Sequence, residues 1–404
     1  MKAALSYLDK LIIKTLALIL VKNQTFSKAL QTILHSYKTS EQAELVNTVR
    51  RIIRYRRLYE KAVTIQGSQP ITPARLLDVC RIEQQPALAQ CPADLCLLQQ
   101  LELVKKERAV RESIPDWLDE LGQKSWGAAW DRLLAWQNTE PAIILRTNTL
   151  KTNREALLNY FKSRQIKATP HNLVPQAIRL EQYRNIFTLP AFRQGLFEMQ
   201  DAGSQAVSEL LNPLPGMRVI DACAGHGGKT LHLAALMQNK GRIIALDTDE
   251  YKFRELSRRA RRAGVSIIET RIVKSTKVIK RLQAQADRLL LDVPCSGSGV
   301  WRRNPEGKER LTPEELNRLI RIQSEILASY SRLIKPGGRL VYAVCSLFPC
   351  EGETQIARFL AASASTQPDT GQPGAIFKLL MEQRLTPDQN DSDGFYLALL
   401  ERLS

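Results

Sequence analysis

The sequence predicts an α/β protein whose C-terminal half is built on a parallel sheet, preceded by a small α+β module and an N-terminal helical domain. Three observations carry this. From about Gly195 onward, short apolar strands alternate with long helical stretches. Two of those strands, Leu289–Leu291 within RLLLDVPCSGSGVW (288–301) and RLVYAVC (339–345), end in cysteine-bearing turns. Before residue 135 the apolar residues recur at the three-and-four spacing of amphipathic helices.

A chain of 404 residues suggests two or three domains at about 150 residues each. A formal charge of +17 favours a polyanionic partner, nucleic acid before an anionic membrane surface. Seven cysteines without a C-x-x-C pair suit a reducing cytosol, and the four histidines do not join them at zinc spacing. No metal is therefore expected. The apolar run Leu16–Val21 is too short to span a bilayer, and no cleavage pattern follows it. The expectation is a monomeric cytoplasmic protein that does not engage membranes.

In chain order, Leu8, Leu11, Ile12, Thr15, Leu16 and Ile19 predict a first helix, and Ser27–Tyr37 and Glu41–Tyr59 repeat its pattern. Arg50, Arg51, Arg54, Arg56 and Arg57, interleaved with Tyr55 and Tyr59, form the densest basic patch there. It is either an RNA-backbone contact or a solvated helix face. Gly67, Pro70 and Pro73 interrupt the helices, and Cys80, Cys91 and Cys96 read as core filler. Ala142–Arg146, Ile166–Pro170 and Ala177–Leu180 read as strands around a helix at Arg154–Ser163, giving the small module at 141–198. Thr366–Pro373 reads as a polar linker in the domain that occupies 199–404.

Arg218–Asp221 is a strand ending in an acid, followed by Cys223, Ala224, Gly225, His226, Gly227, Gly228 and Lys229 ahead of a helix. Such glycines allow a tight turn and close backbone approach by a cofactor at a helix start. The spacing is neither a Walker loop nor GxGxxG. About twenty residues on, Asp247 ends the next strand, where an acid can accept hydrogen bonds from ribose hydroxyls or simply cap a helix. Pro294 fixes φ and removes a donor, while Gly297 and Gly299 free the loop, so the turn after Asp292 presents Cys295 rigidly.

The motifs DACAGHGGKT (221–230), ALDTDE (245–250), LDVPCSGSG (291–299) and VYAVCSLFPCEGE (341–353) resemble the Sun/Nop family of S-adenosylmethionine-dependent RNA 5-methylcytosine methyltransferases. The likeness is strongest to the bacterial enzymes that modify 16S ribosomal RNA. GLFEMQDAGSQ (195–205) and LRTNTLK (145–151) resemble that family's lead-in segment and small module, and residues 1–135 resemble its NusB-like RNA-binding extension in length and pattern. The resemblance implies a Rossmann-like class I methyltransferase domain with a mostly parallel seven-stranded sheet. It also implies S-adenosyl-L-methionine as cofactor, held by residues 223–229, Asp247 and Asp292, and RNA, ribosomal RNA first, as partner.

It implies roles as well. Cytosine C5 is a poor nucleophile until a thiolate adds to C6, and the family places that thiolate at Cys345. Cys295 would remove the C5 proton or otherwise permit release, and Asp292 would hydrogen-bond the cytosine edge. A free thiol is only a few per cent ionised at neutral pH, so a positive setting is needed; Lys229, Arg302, Arg303 and Lys308 are candidates for it or for phosphate contact. Two departures stand out. The loop reads AGHGGK where many relatives have APGGK, and IIETRIVKS (267–275) lacks the Gly-Asp pair that supplies a third cofactor acid, Glu269 falling too early. Competing readings are a catalytically weakened ribosome-assembly factor and an amino or DNA methyltransferase. Two thiols argue against a pure binder, which needs none, and against the DNA enzymes, which use the Pro-Cys thiol alone, while the amino enzymes place Pro-Pro-aromatic after the strand-end Asp, a pattern absent after Asp292.

Overall fold

The computed structural model describes residues 5–36, 41–65, 70–89, 91–181, 185–365 and 375–404. Tyr37, Gly67 and the expected linker at 366–373 lie outside them. The chain divides into two compact units: 1–140 with 301–312, and 141–300 with 313–404. The first boundary falls at Glu140, and the expected boundary near residue 199 does not separate units.

The first unit is helical. Ser6 opens the helix Tyr7–Leu20 with a capping box, its hydroxyl accepting from the Asp9 amide while Asp9 returns to the Ser6 amide, so two otherwise orphaned donors are satisfied. Leu11, Ile12 and Leu16 of that helix pack with Val49, Ile52, Leu76 and Leu101 of the helices Gln42–Arg54, Pro73–Gln84 and Pro92–Val104. The expected helix Glu41–Tyr59 breaks at Tyr55 and restarts as Arg56–Thr64. Of the three local cysteines only Cys80 is buried; Cys91 is exposed.

The arginine patch at 50–57 is not a free basic surface. Arg50 and Arg54 both pair with Glu140, Arg51 with Glu83, Arg56 with Glu60 and Glu309, and Arg57 with Asp116. Those ion pairs serve the fold, which corrects the reading as a phosphate contact. Lys308 and Arg302 require a similar correction. Both are 1% exposed, and the Lys308 ammonium donates to the Arg54 carbonyl (3.1 Å), the Glu112 carbonyl (2.9 Å) and Asn138 Oδ1 (2.8 Å). The Arg302 amide donates to Gln137 Oε1. Burial and these fixed partners remove both cations from the candidates for activating a thiol.

The second unit holds two sheets. The smaller is antiparallel: β1 (Ile143–Thr147), β2 (Ala168–Pro170), β3 (Ala177–Leu180) and β4 (Phe197–Met199), in the order β2-β3-β1-β4. The larger has seven strands: β5 (Arg218–Asp221), β6 (Arg242–Asp247), β7 (Ile268–Ile272), β8 (Ala286–Asp292), β9 (Ile334–Val344), β10 (Phe377–Leu385) and β11 (Phe395–Arg402). Their order is β10-β11-β9-β8-β5-β6-β7, with β5 to β9 paired in parallel and β11 alone running against the other six. This is the Rossmann-like architecture expected. Within β9, Gly337 takes φ +73° and the pairing with β8 shifts register.

From β5 the chain runs outward through β6 and β7, then returns to the other side of β5 for β8 and β9. The order therefore reverses between β5 and β8, and ligands bind in such sheets at the carboxyl ends of the strands flanking the reversal. Leu289, Leu290 and Leu291 are 0% exposed, so β8 is buried on both faces as a central parallel strand requires. No helix among the described residues is long and apolar enough to cross a membrane.

Lys308→Met keeps the side-chain length but takes a donor from three buried oxygens, of which the Glu112 carbonyl retains Asn138 Nδ2. The expected cost is roughly 2–4 kcal/mol of stability, read by denaturant titration. An unchanged transition would show that these oxygens are solvated.

Candidate active site

Four strand ends converge at the reversal. β5 ends in Asp221, β6 in Asp247, β8 in Asp292, and β9 runs into Cys345. After β5 the chain makes the glycine turn. The Ala224 amide donates to the Leu246 carbonyl, and the Gly227 amide returns to the Ala224 carbonyl (each 2.9 Å). Gly225 and Gly227 take φ +54° and +81°, values costly for residues with a Cβ. A Cβ on Gly227 would strike Leu256 at 2.0 Å, whereas one on Gly225 would meet nothing within 4 Å. Gly227 is therefore glycine for packing, and Gly225 opens toward free space.

The loop is held from outside by two arginines. Arg146 of β1, 3% exposed, donates to the Gly228 carbonyl at 2.6 Å, and Arg259 donates to the His226 carbonyl at 2.8 Å. Asp247 accepts from the Gly225 amide (2.9 Å) and the Asp249 amide (3.0 Å), with Lys252 reaching its two oxygens at 3.1 and 3.3 Å. Burial would raise the Asp247 pKa, but these donors outweigh it and hold the carboxyl below its usual range. Cys223 is pushed up by burial and stays a thiol, as filler beneath the turn. Glu269 lies inside β7, paired with Arg242 and Arg271, so no carboxylate stands where the family places its third cofactor acid.

Cys295 and Cys345 have their sulfurs 3.4 Å apart, and both are partly buried. The strands they follow, β8 and β9, are parallel neighbours. Beside them Lys229 Nζ donates to Asp292 Oδ2 at 2.7 Å, and Asp292 Oδ1 carries no hydrogen bond among the described residues. Burial alone would lower the Lys229 pKa; Asp292 overrides it, with Cys345 adding to the rise, so the lysine stays cationic. The Cys295 thiol is driven up, first by its hydrogen bond to Cys345 and then by burial. Two thiolates at this separation would repel strongly, so one sulfur holds a proton directed at the other.

Both thiol loops are fastened by Glu351, which is 0% exposed. Its carboxylate accepts from the Ser296 amide (2.8 Å), the Ser296 and Ser346 hydroxyls, and the Gln323 amide group (2.9 Å). Gln323 also donates to the Pro294 carbonyl at 2.9 Å. Ser298 Oγ takes the Leu347 amide (2.8 Å), and the Gly299 amide donates to the Cys345 carbonyl (3.0 Å). A Cβ on Gly299 would sit 2.0 Å from the Gly394 carbonyl oxygen, so only glycine allows this crossing. Sequence reasoning found both thiols, Asp292, Lys229 and Asp247. It did not single out Glu351, Arg146 or Asp221, although the acidic end of the β5 strand was visible.

Asp221 is 1% exposed; Thr230 donates to its Oδ2 at 2.7 Å, and its Oδ1 has no partner. Burial first, then Asp292, raises its pKa to about 7. A raised folded-state value makes its contribution to stability greatest below the unfolded carboxyl pKa and lost as pH rises through about 7. The ligand-free protein should therefore lose melting temperature between pH 5 and 8, and Asp221→Asn, which can still accept from Thr230, should flatten that loss. Parallel curves for the two proteins would exclude Asp221 as the cause.

The comparisons with known proteins agree with this geometry. The profile of the family described as 16S rRNA methyltransferase RsmB/F matches residues 208–401, and that of the RsmF/B-like ferredoxin-like domain matches 114–187. A probable ribosomal RNA small subunit methyltransferase B of Synechocystis is 36% identical over 72% of this chain and 67% of its own length. The ribosomal RNA small subunit methyltransferase B of Yersinia enterocolitica is 34% identical over 75% of this chain and 70% of its own. Across such relatives the matched stretch spans about two thirds of their length. Among solved structures, PH0851 superposes with a TM-score of 0.80 at 26% identity over 99% of this chain and all of its own. A methyltransferase homologue from Pyrococcus horikoshii gives 0.64 at 26% identity, covering 74% and 98%. With its fold, its two-thiol site and these relatives in agreement, the chain belongs to the RsmB/F family of ribosomal RNA methyltransferases.

Proposed function

We propose that this protein transfers a methyl group from S-adenosyl-L-methionine to C5 of a cytidine in small-subunit ribosomal RNA, through a covalent bond between Cys345 and C6. One observation carries the reading: two thiols 3.4 Å apart at the ends of adjacent parallel strands, beside a lysine-held aspartate with a free oxygen. Amino-group transfer needs no such pair. The relatives' names supply the RNA class.

The cofactor fits the residues present. Gly225 opens toward free space, and Asp221 Oδ1 is a buried acceptor without a donor, which a cationic ligand can satisfy. Lys252 is 33% exposed and can swing off Asp247, freeing one lone pair on each oxygen, the number that two ribose hydroxyls require. Bound there, S-adenosylmethionine supplies an electrophilic methyl group. Residues 223–229, Asp247 and Asp292 would hold it.

The protein's own groups do the rest. The family resemblance assigns the attacking thiolate to Cys345, and Lys229, held by Asp292, is the cation of the same site that can favour its charge. Its attack forms an S–C6 bond and moves the C5–C6 electron pair toward C5, while Asp292 Oδ1 hydrogen-bonds the cytosine edge. Once Cys345 is bonded to C6, its hydrogen bond to Cys295, the first cause of the raised Cys295 pKa, is gone. When C5 has taken the methyl group, whose bond to the cofactor sulfur would break, Cys295 can lose its own proton to water and take the C5 proton. The S–C6 bond breaks as the double bond re-forms, returning Cys345 as the thiolate.

Cys345→Ala should abolish methylation and form no covalent species. Cys295→Ala should still attack and methylate, and should accumulate an RNA–protein conjugate seen on a denaturing gel. Conjugate with Cys345→Ala and never with Cys295→Ala would invert the roles. Asp247→Ala should weaken cofactor binding by about 1–3 kcal/mol in calorimetric titration, through polar groups left unpaired. Unchanged affinity would remove Asp247 from the site.

A further inference from the structure

The pairing of Arg50–Arg57 leaves open where the RNA is gripped, and a second feature of the catalytic unit answers that. A cleft of about 910 Å³ lies where the small sheet meets the helix Glu250–Ala263, outside the glycine loop. His226 of that loop lines it. Arg259 of its wall donates to the His226 carbonyl at 2.8 Å, so the cleft borders the glycine loop.

Its walls are built rather than incidental. Glu198, 4% exposed, accepts from both Arg259 (3.0 Å) and Arg262, fixing these guanidinium groups in the floor. Arg262 also stands 4.0 Å over the Phe192 ring. A row of rings then leads outward from the core. Phe161 and Phe197, both 0% exposed, lie 5.7 Å apart, Phe197 and Phe192 are 5.7 Å apart, and Phe192 meets Phe187 edge-on at 5.0 Å. Phe187 ends the row 52% exposed, with Met199, 42% exposed, in the same cleft.

The charge is one-sided. Four arginines line the cleft against two carboxylates: Glu198 is committed to Arg259 and Arg262, whereas Glu255 meets Arg258 at 2.8 Å in a surface pair whose arginine is 76% exposed, a weak pair that a phosphate can displace. Arg193 is exposed, and its guanidinium carries no ion pair or hydrogen bond among the described residues. An exposed ring anchored in a core, set beside unspent cationic charge, is how sequence-tolerant proteins hold single-stranded nucleic acid: the ring takes a base face and the cations take phosphates.

Resting on the reading of RNA as substrate, we propose that this cleft binds a single-stranded segment of the RNA flanking the target nucleotide. A base stacks on Phe187 and phosphates meet Arg193 and Arg258. The grip on RNA beside the target thus lies in the catalytic unit, on the seam between its two sheets.

The test is binding of full-length protein to a fluorescently labelled single-stranded RNA about a dozen nucleotides long, followed by anisotropy across a salt series. Arg193→Gln with Arg258→Gln should flatten the slope of log affinity against log salt by about 1.4, or about 0.7 for each phosphate no longer neutralised. Phe187→Ala should weaken binding about tenfold with the slope unchanged, and Phe187→Trp, which keeps a stacking face, should restore it. The control is Lys240→Gln with Lys378→Gln, two exposed lysines at the amino-end edge of the parallel strands, which should change neither quantity. If the cleft variants behave like this control, or if both charge pairs flatten the slope equally, the cleft is not the site. The readout requires no methyl transfer. A methylated atom other than cytosine C5 would overturn the proposed reaction and leave this binding result standing.

Discussion

A carboxylate sealed from water must have its lone pairs filled, and Glu351 fills its own from both thiol loops at once. That constraint positions the two thiols of the proposed catalytic centre. Ser296 is one residue past Cys295 and Ser346 one past Cys345, and both bind the same carboxylate. Gln323 extends the tie to the Pro294 carbonyl. The thiols lie 3.4 Å apart because the residues beside them are anchored to a common point, and the proton they share follows from that spacing. Glu351 touches no reacting atom; it is a positioning residue.

Arginine has a comparable structural role throughout the chain. Arg146 and Arg259 fasten the carbonyls of the glycine loop, and Glu198 fixes Arg259 and Arg262 where the two sheets meet. In the helical unit Arg50, Arg51, Arg54, Arg56 and Arg57 are spent on carboxylates. Each such pair consumes one charge of either sign, so pairing cannot account for the excess of +17. The excess must sit on cations without acidic partners, of which Arg193 is one. Density of basic residues in a sequence is therefore a weaker guide to a polyanion site than the absence of nearby acids in space.

Much of the site was legible because it consists of strand ends. A buried run such as Leu289–Leu291 followed by Asp292 and Pro294 marks where a parallel strand stops, and ligands bind there by topology. Asp247 and the glycine turn were visible by the same logic. Lys308 and Arg302 were misjudged because closeness to Cys295 in sequence carries no information about the side of the fold they reach. Segment 301–312 packs within the helical unit. β4 was also missed, because three residues inside GLFEMQ give no period to read. Ser346 aside, Glu351, Arg146 and Glu198 act through partners dozens of residues away, and nothing local announces such pairing.

The central claim is that Cys345, and not Cys295, forms the bond to C6. A small-subunit ribosomal RNA carrying 5-fluorocytidine removes the proton that must leave C5, so the adduct formed after methyl transfer cannot resolve. Incubating it with the protein and S-adenosylmethionine, then digesting and sequencing the conjugated peptide by mass spectrometry, identifies the attached residue directly. The account predicts a methylated fluorocytidine joined to the peptide bearing Cys345. Attachment at Cys295, or a methylated product with no conjugate at all, would contradict it.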